Sequence, residues 1–187
     1  MPQLQRPQQA LNKAMVEAVE FVHAEGWDAS PTLFALVPTE LVADQLASLE
    51  EEADSPITLI VQEDMPEHIQ PGSDELGDYL TRLVWPEEIA GLVLAQEIMF
   101  KDTAEASADA ARPARLFSGV LRDKGVEQTL LQLRPTDEEL EEAGPFAQDD
   151  IQLRGGPGVA PAVLGALRYS LDNQDDLDDE VFDEDLD

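Results

Sequence analysis

The chain contains no cysteine. That excludes disulfides, thiolate zinc sites and a cysteine nucleophile, and it fits a reducing compartment. Positive charge is nearly as scarce. Eleven Lys and Arg stand against 41 Asp and Glu, a formal net charge of −30 over 187 residues. The lysines are Lys13, Lys101 and Lys124 alone. So negative a surface repels phosphate and anionic headgroups, which argues against nucleic acid and membrane and in favour of a protein partner with a basic surface. Such acidity with so little lysine also fits salt adaptation. His23 and His68 are the only histidines, and neither sits in a metal-binding or triad setting. No metal and no cofactor are expected. No apolar run reaches the roughly 18 residues of a membrane span. The opening "MPQLQRPQQALNK" has no apolar core of a targeting signal. The expectation is a cytoplasmic protein.

What is present suits one domain. Hydrophobic residues are 43% of the chain, enough for an ordinary core. Residues 1–8 are Pro/Gln-rich and read as frayed. Leu11, Met15, Val16, Ala18, Val19 and Val22 then recur at helical spacing up to Gly26. The apolar run Leu33 to Val37 lies between prolines and reads as a buried strand. Thr39 can cap a helix through Leu49. "ITLIVQED" from Ile57 is a second strand, and Ser73 caps a helix marked by Leu76, Tyr79, Leu80 and Leu83. Pro86 forces the preceding Trp85 out of helical geometry. Ile89 to Phe100 is a long strand. Two alternating segments around Asp123-Lys124-Gly125 form a hairpin, with the glycine supplying positive φ.

"RGGPG", Arg154 to Gly158, leads into a last helix ending near Leu171. This order predicts an α+β domain over residues 9–171: two layers, with a mostly antiparallel sheet of about five strands covered by helices. Residues 172–187 differ, since ten of the sixteen are acidic. Their mutual repulsion predicts an acidic, disordered tail.

No motif carries a reaction. RGGPG lacks the lysine and hydroxyl of a phosphate loop. Glu87, Glu88 and Glu97 form no distinctive acid–base set in so acidic a chain. On a strand, Glu97 faces away from Leu94 and Ile98, and pairing with Arg115 or Arg122 of the neighbouring hairpin suits it better than catalysis. Arg112, Arg115, Arg122, Lys124 and Arg134 make a local basic contrast, onto which the tail is able to fold. The candidate binding residues are Trp27, Asp28, Trp85, Glu97 and Arg122; exposed tryptophans anchor partners, although burial in the core is the commoner fate of a tryptophan.

Three blocks, "EGWDASPTLFALVPT", "VWPEEIAGLVLAQE" and "VLRDKGVEQTLLQLR", together resemble an uncharacterised family of actinobacterial proteins. The matching positions are Gly26, Trp27, Asp28, Leu33 to Val37, Trp85, Pro86, Gly91 and Arg122 to Gly125. The chain departs from the pattern by placing Lys124 before the hairpin glycine and by reading "LQLR" after it. The resemblance covers about Leu11 to Leu171. It implies a cytoplasmic actinobacterial protein and no particular reaction. The favoured reading is a non-enzymatic acidic protein that binds another protein. The alternative is a small-molecule hydrolase or other enzyme with a carboxylate-containing site between sheet and helices. An exposed apolar patch or open sheet edge marks the first, and a deep pocket with converging polar groups the second.

Overall fold

The computed structural model describes residues 6–39, 56–62, 65–66, 68–70, 73–100, 112–123, 125–134, 137–144, 153–155 and 161–184. Beyond Thr39 itself, the helix expected from Thr39 to Leu49 lies outside them, as do the connector after Phe100, Lys124 and the last three residues of RGGPG.

Helix α1 (Pro7–Glu25) opens on a proline. Its fixed φ suits the first turn and it lacks an N–H the turn would leave unpaired, so the helix starts ahead of residue 9. Ala10, Leu11, Ala14, Met15, Ala18, Val19 and Val22 are its buried stripe. Val16 is 44% exposed, being one residue, about 100°, off that stripe. Gly26 closes the helix at φ 96° and donates its N–H to the carbonyls of Val22 and His23.

Six antiparallel strands follow in the order β2-β1-β3-β4-β5-β6. They are β1 (Thr32–Pro38), β2 (Ile57–Gln62), β3 (Gly91–Phe100), β4 (Arg112–Leu121), β5 (Glu127–Leu133) and β6 (Leu153–Gly155). Five are those expected. The sixth, three residues long, is too short to leave a periodic signal in the glycine-rich segment. The β4–β5 hairpin turns at Gly125, with φ 77°, and Leu121 and Val126 close it through a 3.0 Å backbone bond.

Helices α2 (Asp74–Arg82) and α3 (Asp137–Ala143) lie between strands in the chain, and α4 (Pro161–Glu184) follows β6. The Ser73 hydroxyl accepts the Leu76 N–H at 3.2 Å, the cap read from the sequence. Helix α4 continues past Leu171 into the acidic segment, as far as Glu184. Leu177 and Val181 stand four residues apart there, a spacing compatible with helix.

The α+β class and the helix-covered antiparallel sheet agree with the sequence reading. Helices cover both faces. Phe34, Leu36, Val93, Ala95, Phe117 and Leu121 pack against α1. Leu33, Ala35, Leu92, Leu94 and Val120 pack against Leu76 and Leu80 of α2 and Leu167 and Leu171 of α4. The cause is legible: Leu33–Val37 and Leu92–Ala95 are apolar without alternation, the pattern of strands buried on both sides. Gly119 lets α1 lie close on β4, since a Cβ there would sit 2.5 Å from the Met15 sulfur.

Candidate functional site

The five candidate residues fall into two groups. Trp27, Asp28 and Glu97 come together at the C-terminal end of α1. Trp85 and Arg122 lie on the opposite face.

In the first group the chain leaves α1 through Gly26 and crosses the sheet at residues 27–29. Asp28 adopts φ 67°, a left-handed conformation that Asp tolerates better than most residues. Glu97 of β3 holds this turn. Its carboxylate accepts the N–H of Asp28 at 3.0 Å and of Ala29 at 2.6 Å. The Asp28 carboxylate in turn accepts from both terminal nitrogens of Arg134, the residue after β5, at 3.1 and 3.4 Å. Beneath the turn, Arg115 of β4 lies directly opposite Glu97 in the ladder. Its guanidinium stacks 3.9 Å from the Trp27 ring centroid, and Arg134 lies 5.4 Å from the same ring.

Arg115 is the least expected member. It is 1% exposed. One terminal nitrogen donates to Gln132 Oε1 at 3.0 Å. Its Nε and Nη2 have no hydrogen-bond partner among the described residues. Burial lowers its pKa from the ordinary value; Glu97 opposes that shift and Arg134 adds to it. The Gln132 amide nitrogen then meets His23 Nδ1 at 3.0 Å. Arginine only donates, so Gln132 must turn its oxygen to Arg115 and its NH2 to His23. His23 Nδ1 is therefore the acceptor, and its proton sits on Nε2.

This assembly has two cations and two carboxylates, each directed at a group of the protein. Its chemistry is that of a strap: it fixes residues 26–29 across the end of the sheet. Glu97 lies opposite an arginine of the hairpin, as the strand pattern suggested, and it also binds two backbone amides that no pattern showed.

In the second group, Trp85 is buried and its indole N–H donates to Ser170 Oγ of α4 at 2.7 Å. Arg122 donates to three carbonyls, those of Ile89 (2.6 Å), Leu171 (2.8 Å) and Pro86 (3.1 Å). It ties α4 to the turn before β3. Of the basic residues read from the sequence as a local contrast, Arg115 is buried and Arg122 and Arg134 are engaged in this way; Lys124 and the side chain of Arg112 lie outside the described residues.

Two other places have the shapes that discriminate the functional readings. A cavity of about 600 Å3 lies between α2, α4 and β3, lined in part by Ser73, Asp74, Asp78 and Gln96. Among the described residues no group of three or more His, Asp and Glu is arranged to hold a metal ion. No helix among them is long and apolar enough to cross a membrane.

The other place is the β2 edge. Among the described residues β2 pairs only with β1. A groove of about 380 Å3 runs between it and α1, lined by Phe21, Phe34, Ile57, Leu59 and Val61 with Glu17 and Thr58. Phe21 is 42% exposed and meets Phe34 edge-on, with ring centroids 5.6 Å apart. The signal missed in the sequence was the charge pattern around "ITLIVQ". This uncharged strand stands between Glu50, Glu51, Glu52 and Asp54 on one side and Glu63 and Asp64 on the other.

No curated protein and no solved structure matches the chain. The model of one family does, across residues 11–172, nearly the span of the blocks that suggested a relationship. By that match the chain belongs to the PPA1309-like protein family, which has no assigned activity.

Proposed function

We propose that this protein is a non-enzymatic cytoplasmic binder of another protein, one with a basic surface. The observation that carries the reading is the β2 edge, a strand without charge, paired on one side only among the described residues and adjoining the Phe21 groove. Sheet edges in monomeric proteins are usually guarded by lysine, proline or a bulge within the strand, and "ITLIVQ" has neither lysine nor proline. The formal charge of −30 supplies long-range attraction for a basic partner and speeds encounter. The test is affinity isolation of the tagged full chain from its native cytoplasm, at 50 mM and 500 mM salt, with cross-links mapped. One stoichiometric basic protein, released by salt and cross-linked near α1 and β2, is the expected result. Absence of any such protein contradicts the reading.

A second reading rests on the cavity between α2, α4 and β3. Asp74 and Asp78 on its wall are the carboxylates that a small-molecule enzyme would use there. Native mass spectrometry of the chain purified from its host discriminates. A bound metabolite, lost in Asp78→Ala, favours the enzyme, and a bare chain favours the binder.

A further inference from the structure

The backbone of β2 specifies how a partner would bind. Thr39 donates its N–H to the Pro56 carbonyl at 3.0 Å, and the register places Pro38 opposite Ile57, hence Thr39 opposite Pro56. In an antiparallel ladder only alternate opposed pairs exchange hydrogen bonds. The bonded pairs are therefore Val37 with Thr58, Ala35 with Ile60, and Leu33 with Gln62. Thr58, Ile60 and Gln62 turn their N–H and C=O groups toward β1. Ile57, Leu59 and Val61 turn theirs outward. Pro38, which has no N–H, falls at a position facing β3, so the β1–β2 ladder loses no donor.

The outward-facing residues are also those whose side chains point toward α1: Ile57, Leu59 and Val61 pack with the α1 cluster and line the groove. A strand bonded to Leu59 and Val61 would place its opposed side chains on that same face, beside Phe21. Each end of β2 runs into acidic sequence, Glu50 to Asp54 before it and Glu63 and Asp64 after it. Those charges oppose pairing with a second copy of the chain, which carries the same −30. They favour a strand with basic residues at both ends.

We infer that the protein takes up an extended segment of its partner by strand addition to β2, the segment having apolar residues at alternate positions between basic ends. The main chain supplies the affinity at Leu59 and Val61, the groove reads the apolar side chains, and the chain's net negative charge favours the basic ends. This rests on the protein-binding reading above and gives it a mode and a ligand class.

The probe is the synthetic peptide Lys-Lys-Val-Thr-Val-Thr-Val-Lys-Lys, titrated into the full chain and followed by calorimetry and by amide exchange in NMR. Binding that weakens with salt, together with slower exchange at Leu59 and Val61, is expected. Val61→Pro removes an outward N–H and no bond to β1, so it should weaken the peptide at least tenfold while leaving the melting transition in place. Thr58→Pro removes a ladder donor and reports what loss of the sheet looks like. Should Val61→Pro fail to fold, exchange in the unmodified chain decides. Peptide that binds without protecting Leu59 and Val61, or binds Val61→Pro equally well, overturns strand addition and leaves the protein-binding reading standing. The same holds if this peptide fails to bind while the basic partner is still captured. Self-association through β2 at high concentration would replace the partner strand with a second copy and overturn the inference.

Discussion

Glu97 decides much of the local structure at the end of α1. Two backbone N–H groups at residues 28 and 29 converge on its carboxylate, and hydrogen bonds to a charged group contribute about 1.5–3 kcal/mol each way they are measured. Glu97→Gln retains one oxygen but not the charge, so urea denaturation should show a loss of about 1–3 kcal/mol, with faster exchange at Asp28 and Ala29. Arg115 behaves differently. Its pKa in the fold lies below that of the unfolded chain, so the folded state holds the proton less tightly. That costs stability wherever the guanidinium is protonated in both states, which is the whole neutral and acidic range. Its contribution is therefore flat with pH there. Arg115→Met should be neutral or stabilising by about 1–2 kcal/mol, as found when buried ions give way to apolar side chains. A loss above about 3 kcal/mol, of the size seen when one partner of a buried pair is removed, would mean the arginine is better paired than its free Nε and Nη2 indicate. His23 offers a direct check: 15N NMR should find the proton on Nε2 and none on Nδ1. Little of this was legible beforehand. The strand pattern suggested pairing of Glu97 with a hairpin arginine, but the links to residues 28 and 29 span 69 and 68 positions and depend on where α1 ends.

Elements were far more legible than sites, and the reason is periodicity. Helix α1, the Ser73-capped α2, the long β3 and the Gly125 hairpin each repeat a pattern over two or more turns or several alternations. The short β6 repeats nothing, and it was missed. The unbroken apolar runs of β1 and β3 fit the helical cover on both sheet faces, which the sequence reading did not draw from them, and amphipathic helices by themselves do not say which face they take. Close packing between elements is set by two glycines. A Cβ at Gly91 would run into the Val120 carbonyl, while at Gly119 it would meet the flexible end of Met15. Backbone cannot yield as a methionine can. Gly91→Ala should therefore cost more than Gly119→Ala, at the upper end of the roughly 1–3 kcal/mol typical of overpacking. Equal thermal shifts for the two would contradict the packing described.

The whole molecule is dominated by its charge. At −30 the folded chain repels itself, and salt shortens the screening length from about 8 Å at physiological ionic strength to about 3 Å at 1 M. The melting temperature should rise between 50 mM and 1 M sodium chloride. A gain of about 1.5 kcal/mol corresponds to about 3–6 °C for a chain of this size. Unchanged melting would mean the acids are already balanced by bound cations or by one another. The same charge that opposes compaction also opposes pairing between copies of the chain along β2.

That edge is the feature on which the functional account depends, and amide exchange in the free protein tests it most directly. Thr58, Ile60 and Gln62 should be protected, while Leu59 and Val61 exchange at rates near those of open chain. Protection at all five positions would show β2 already covered on both sides, and the edge would not be available to a partner.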